Sequence, residues 1–418
     1  MLGIAKLSKT YFRLWRYSRR LGVRATALAG LALLAVLLAP LLAPIVPDWL
    51  ADSVKAESVS RILQVMAASM LSVTIFSLSV MVSARQAASA QVTPRSHQVL
   101  MEDTTTQNVL ATFLGSFIFS LTAMIVMDTE FYATGAPAVI LGISLVVVAL
   151  VVVAILRWID HLSELGSVGE TAARIERAAT RAIEDRRTMP CLGARPLTPG
   201  QLEIPARAER FQAWDTGYVQ HIDLRGLSRA AGVAGGSVFV VAQPGELVSP
   251  GDALLYHTIP MPEEKLRAAF TIADNRVFEQ DPRFGVIVLS EIAQRALSPG
   301  VNDPGTAIDM LTRLARVLAH YRAEANVDCE PALAHVWMSP VTPEELMRDA
   351  FDPIARDAAS TVEVQIRLQK TLALLSHSGD SEMEAAARAS SARALALSLE
   401  AQSLPEHRER LRELAKAV

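Results

Sequence analysis

Two cysteines, Cys191 and Cys329, are all that 418 residues contain. They cannot build a disulfide framework and match no metal-ligand spacing, so both are expected to be reduced structural thiols. Neither sign of charge dominates: the net charge is -3 and the pI is about 6.3. That balance gives no support for a nucleic-acid partner. A nucleophile with its base, a phosphate-cradling glycine loop and a metal-ligand cluster are all missing as well. Gly217 and Gly226 are too far apart for a dinucleotide fingerprint, and "VAGGSV" lacks the P-loop lysine. His221 and His257 fall in predicted strands, where histidine is more often structural than catalytic. The sequence therefore predicts no enzyme, no catalytic residue, no metal and no cofactor.

Long apolar runs are what the sequence does have. Hydrophobic residues make up 51% and charged residues 20%, and the mean hydropathy is +0.29. The apolar runs lie before about Trp158 and most of the charge lies after it. Four segments approach the ~20 residues that a spanning helix needs, at about 25–46, 62–82, 109–127 and 137–156. The spacing predicts a membrane region over 25–158 behind a basic segment at 1–24. A juxtamembrane helix and linker follow over 159–210, a small β-module over 211–258 and a helical domain over 259–418. The expected fold is mainly α: four transmembrane helices, then an α+β part containing a β-barrel or sandwich module.

Loop charges set the expected orientation. "KLSKTYFRLWRYSRRLGVR" precedes the first span and belongs in the cytoplasm under the positive-inside rule. "PDWLADSVKAES" then falls outside, Arg85, Arg95 and His97 fall inside, and "DTEFYATGA" carries no Lys or Arg. An even span number returns the remainder to the cytoplasm, so both termini are expected there. Three further spans make the first a retained anchor rather than a cleaved signal. Trp15 and Trp49 sit where an aromatic belt would place them.

The spans differ in character. The first and fourth are almost wholly aliphatic and suit lipid. In the third, Thr112, Ser116 and Ser120 recur every four residues beside Ala111 and Gly115, a small-xxx-small pattern that lets helices approach. In the second, a turn of 100° per residue gathers Ser69, Ser72, Ser79 and Ser83 on one stripe, with Arg61 at its outer end and Gln86 at its inner end. Thr74 and Ser77 point elsewhere, toward their own i−4 carbonyls. The stripe has two readings: glue between spans two and three, or the lining of a wet path in a homo-oligomer. The helix should continue through "ARQAASAQV" until Thr93-Pro94 stops it, and "TTTQ" at 104–107 resembles a capping box opening span three.

Beyond Trp158, Asp160, His161 and Glu164 lie within one helical turn, either as a cation or proton site or as a solvated collar. The Pro-rich stretch 190–205 reads as a linker. Short β-rich runs at 217–222, 237–242 and 253–257 are separated by Gly and Pro turns. Within them, "QPGELVSPGDALL" resembles the turn of biotinyl/lipoyl-like barrel-sandwich domains, with Gly245, Val248, Gly251 and Asp252 in the matching positions. No lysine occurs between Trp214 and His257, which excludes a covalently attached lipoyl or biotinyl group. Further on, Asp281-Pro282, Asp303-Pro304, Thr342-Pro343 and Asp352-Pro353 each have the form of an N-cap followed by proline. Leu311, Leu314, Leu318 and Tyr321 make one apolar stripe, and Leu368, Leu372 and Leu375 another. A helix pair broken at Pro405 closes the chain. The loop "RALSPGVNDPGTAID" either presents Asn302 and Asp303 to a ligand at a helix N-terminus or is a tight connection between two helices.

"FSLSVMVSARQAASAQVTPR", "TTTQNVLATFLGSFIFSL", "GYVQHIDLRGL" and "DPRFGVIVLSEIAQRALSPGVNDPGTAID" together resemble a bacterial family of predicted membrane proteins of unknown function. The resemblance runs from the first span to about Tyr321. It implies an inner-membrane location and supplies no substrate, reaction or site residue. Two functions remain open on the residues alone. One is an oligomeric channel or transport-type protein passing a small ion, with span two near its axis. The other is a membrane-anchored scaffold or sensor that binds a cytosolic protein partner through the β-module and helical domain.

Overall fold

A computed structural model of the chain describes residues 53–91, 104–127, 136–162, 167–198, 203–322 and 332–418, with isolated positions before 50 and at 95 and 200. The expected first span, 25–46, lies outside the described residues except at such isolated positions, and so does Cys329. The chain divides into two compact units, one within residues 14–171 and the other built from 172–418.

The first unit contains α1 (Ala56–Gln91), α2 (Thr104–Met127) and α3 (Ala136–Leu162). All three are long and apolar enough to cross a membrane, over Ala56–Ala84, Thr105–Met127 and Ala136–Leu162. In hydrocarbon every backbone amide must be satisfied within its own segment, so even the valine-rich α3, whose composition would suit a strand, becomes a helix. The α2 helix opens at Thr104, where the "TTTQ" signal placed it.

The α2 helix is the middle one. Ala111, Phe113, Ser120 and Ala123 are fully buried on it, and Ser116 is nearly so. At one end Val59 and Leu63 of α1 meet Phe119 and Ala123 of α2 and Ile140 of α3. At the other, Met70 and Met81 meet Val109 and Phe113, with Val151, Ala154 and Trp158 from α3. Of the small residues predicted to let span three approach its neighbours, Ala111, Gly115, Ser116 and Ser120 are buried and Thr112 is half-buried.

The second unit carries most of α4 (Val168–Thr188). It is followed by β1 (Arg195–Pro196), β2 (Glu209–Gln212), β3 (Gly217–Ile222), α5 (Leu224–Ala234), β4 (Val238–Val240), β5 (Leu247–Val248) and β6 (Ala253–His257). Then come α6 (Glu263–Ala269), β7 (Phe270–Ala273), α7 (Pro282–Leu297), α8 (Pro304–Ala319), β8 (Val336–Met338), α9 (Pro343–Asp357), α10 (Val362–Leu375), α11 (Ser381–Ala401) and α12 (Pro405–Ala415). One sheet runs β1-β8-β4-β6-β2 and a second runs β5-β3-β7.

The strands predicted at 217–222 and 253–257 form with those bounds. The biotinyl/lipoyl-like module does not find support. The β-rich stretch is not self-contained: β4 pairs in parallel with β8, nearly a hundred residues later, and β8 with β1. A helix, α5, also stands between β3 and β4. Asp223 caps it by accepting from the Gly226 amide, and Gly235 ends it in the left-handed region at φ 72. Leu224, Leu227 and Ala231 of α5 pack with Val238, Val240, Val336 and Met338 in one core. The sheet therefore needs its helix and its distant strands to bury its apolar face.

Two further expectations are corrected. The 190–205 stretch does not begin as a free linker. Cys191 and Leu192 are buried in the core with positive φ of 49° and 57°, and Arg195–Pro196 is a sheet strand. Asp352-Pro353 opens no helix, because Pro353 lies inside α9. There the burial of Phe351, Ile354 and Ala355 outweighs one missing backbone donor. Asp352 instead accepts from Arg393 at 3.0 and 3.1 Å. The other three dipeptides cap as expected: Asp281 for α7, Asp303 for α8, and Thr342 in a reciprocal box with Glu345 for α9.

Candidate functional site

The polar stripe of α1 is intact and points away from the other two helices. The face α1 buries consists of Val59, Leu63, Met66, Ala67, Met70, Ser77 and Met81. Arg61, Ser69, Ser72, Ser79, Ser83 and Gln86 are all exposed. Glue between spans two and three is therefore not the role of these serines; methionine and leucine make that contact.

Each hydroxyl whose bond is resolved donates to the carbonyl four residues back. Ser69 reaches Val65 at 2.6 Å, Ser72 reaches Ala68 at 3.0 Å and Ser79 reaches Ile75 at 2.9 Å. Such back-bonding consumes the donor and leaves the oxygen lone pairs directed outward. Thr74 bonds Met70 in the same way at 2.6 Å. Ser77 departs from expectation: it is fully buried and its hydroxyl has no partner among the described residues.

Sequence reasoning missed three members of this face. Extending the same arithmetic gives 65, 69, 72, 76, 79, 83 and 86, alternate steps of four and three, which is the seam spacing of packed parallel helices. Val65 and Phe76 thus share the stripe, 66% and 64% exposed. The third is Glu57. Its carboxylate accepts from Arg61 at 3.0 Å, both side chains being more than three-quarters exposed. The N-terminal end of the stripe therefore carries a compensated pair and not a bare cation.

The exposed surface of α3 provides the contrast. Leu145, Val146, Leu150, Val152, Val153 and Leu156 make it aliphatic up to Leu156, before the exposed Arg157 and Asp160. That is the composition a lipid contact calls for; α1 exposes Ile62, Leu71, Ile75, Leu78 and Val82 too, but carries a file of serines beside them.

Elsewhere, the Asn302–Asp303 loop spends its polar groups on itself. The amides of Val301 and Asn302 donate to Ser298 O, at 3.0 and 2.9 Å, and that of Asp303 donates to Ala296 O at 2.8 Å. Asp303 accepts from the Thr306 hydroxyl and amide, which hold its carboxyl below the ordinary range. Asn302 adopts φ 50, a left-handed turn residue that asparagine tolerates. Of the juxtamembrane trio, Asp160 is exposed, His161 is buried against Trp158 with ring centroids 6.2 Å apart, and Glu164 lies outside the described residues.

Three helices of membrane-crossing length among the described residues, with a separate α+β unit after them, fit a predicted membrane protein. The chain belongs to the family described as "Predicted membrane protein (DUF2254)", which matches residues 18–374. Uncharacterised proteins of Mycobacterium bovis and Mycobacterium tuberculosis are each 28% identical to it over 255 residues, covering 58% of this chain and 48% of theirs. The chain thus spans about half the length of the curated relatives it matches. No solved structure matches it.

Proposed function

We propose that the protein is a homo-oligomeric channel or transport-type protein of the bacterial inner membrane, with the α1 stripe facing the shared axis. The observation that carries this reading is the contrast between the two outward faces: aliphatic alone from Leu145 to Leu156 on α3, apolar residues with a file of hydroxyls on α1. Lipid alone would favour neither Arg61 nor Gln86 nor a file of serines. Seam spacing supports several copies of α1 side by side, and serine oxygens replace part of an ion's hydration without holding it tightly. Phe76 interrupts the file between Ser72 and Ser79, as a hydrophobic constriction would. In this reading four spans and cytoplasmic termini follow from the loop charges.

The test is the oligomeric state of the full chain in mild detergent, by light scattering. A ring of several copies is the expected result. A monodisperse monomer contradicts the reading, since one α1 encloses no axis.

A second reading, a membrane-anchored scaffold, rests on the five-stranded sheet. Its registers align Arg195, Trp337, Phe239, Tyr256 and Arg210 in one row across all five strands. Phe239 stacks on Trp337 at 5.1 Å and Arg195 lies over the same indole. Cross-strand stacking of this kind stabilises a sheet without any partner, so this observation carries less weight than the α1 face.

A further inference from the structure

Within the helical membrane unit, a cavity of about 480 Å³ opens between the start of α2 and the end of α3. On α3 its wall is one helix face, rising from Leu150 and Val153 through Ala154 to Arg157, Asp160 and His161. From 150 to 161 that face climbs about 16 Å at ~1.5 Å per residue, passing from aliphatic to charged. On α2 the facing wall is Thr105, Asn108, Val109 and Thr112, mostly polar with one apolar contact at Val109.

Two features give the cavity a chemistry. Arg157 is exposed and has no hydrogen-bond or ion-pair partner among the described residues, while its neighbour Asp160 stands one turn further on. The aliphatic wall is open as well: Leu150 is 57% and Val153 46% exposed. A soluble anion would use the arginine and leave that wall unemployed. An amphiphile uses both.

We propose that this cavity seats one zwitterionic phospholipid of the ethanolamine type. Its phosphate pairs with Arg157 and the Asn108 amide, its ammonium with Asp160, and an acyl chain lies along Val109, Val153 and Leu150. Phosphate binds a guanidinium through paired, charge-assisted hydrogen bonds, and the carboxylate one turn away selects a head group that carries a cation over one that does not. His161, packed on Trp158, lines the charged end. This inference is independent of whether α1 lines a path.

The experiment uses the full chain reconstituted in an equal mixture of phosphatidylethanolamine and phosphatidylglycerol, then stripped in detergent and weighed by native mass spectrometry. One retained phosphatidylethanolamine per chain is expected. Arg157→Gln should lower that occupancy about tenfold, the effect of losing roughly one charge-assisted contact, whereas Arg157→Lys should keep most of it. Val153→Trp, which fills the apolar wall and leaves every charge in place, should lower it too. Asp160→Asn should erase the preference over phosphatidylglycerol. No retained lipid, a preference for phosphatidylglycerol in the wild type, or equal occupancy in Arg157→Gln would overturn the proposal. So would displacement of the lipid by inorganic phosphate alone, which marks a site for a soluble anion.

Discussion

Glu57→Gln shifts the reversal potential of the reconstituted protein toward anions, and Arg61→Gln shifts it toward cations: this pair of opposite changes is the expected result. The two side chains form an i, i+4 pair at 3.0 Å at the N-terminal end of α1, both largely exposed. In a ring of copies each pair is neutral, so the wild type should discriminate weakly by sign. Removing one partner leaves one net charge per copy at the mouth. A unit charge about 10 Å from a passing ion contributes about 1.7 kcal/mol at an effective dielectric of about 20. A ring of several is therefore expected to move the permeability ratio more than tenfold at low salt, and less at high salt. Because an exposed pair of this type adds little to stability, both variants should fold and insert. Identical reversal potentials in both variants would remove α1 from the conduction path.

The second large effect concerns the fold of the α+β unit. Gly245→Val should lower its unfolding free energy by about 3 kcal/mol or more. Gly245 has φ +89, and a Cβ there would stand 2.1 Å from the Asp281 carboxylate and 2.8 Å from the Arg276 guanidinium. That carboxylate is buried. It accepts from Arg276 at 2.8 and 3.0 Å and caps α7 through the Arg283 and Phe284 amides, both at 3.1 Å. A β-branched side chain at 245 would break the ion pair and the cap together. Gly251→Ala is the control, because Gly251 has φ +99 but nothing within 4 Å of a Cβ. It should cost only about 1 kcal/mol, the backbone penalty alone. Thermal melts of the full chain, followed through near-ultraviolet circular dichroism, separate the two. Equal melting temperatures for Gly245→Val and Gly251→Ala would contradict the coupling of this turn to Asp281.

What could be read in the sequence was local. The serine stripe, the caps at Asp281, Asp303 and Thr342, and the strands at 217–222 and 253–257 follow from periodicity and short-range hydrogen bonding, which act within a few residues. The glycine turns were legible for the same reason: Gly245 and Gly251 both take positive φ. What could not be read was set by distant partners. The β8 strand is three residues long and becomes a strand because β4 and β1 flank it. The α5 helix was signalled by Asp223 and Gly235, but Gly226 and Gly232 within it concealed the signal. Pro353 resembled a helix start because the Asp-Pro pattern is local, whereas the burial that keeps α9 running through it is not. The direction of the α1 stripe belongs to the same class. Periodicity places the serines on one face, and only the competition of Leu63, Met70 and Met81 for the contact with α2 turns that face outward.

In the proposed channel this outward face meets water inside an assembly. Thiol reactivity at single cysteines measures it most directly, in a background lacking Cys191 and Cys329, with intact oligomers in bilayers and a membrane-impermeant, water-soluble reagent. Rapid labelling of Ser72→Cys and Ser79→Cys is expected, and none of Leu71→Cys or Leu78→Cys, which stand on the exposed side of the same helix but off the stripe. Labelling that is absent at 72 and 79, or equal at all four positions, would contradict the proposed channel.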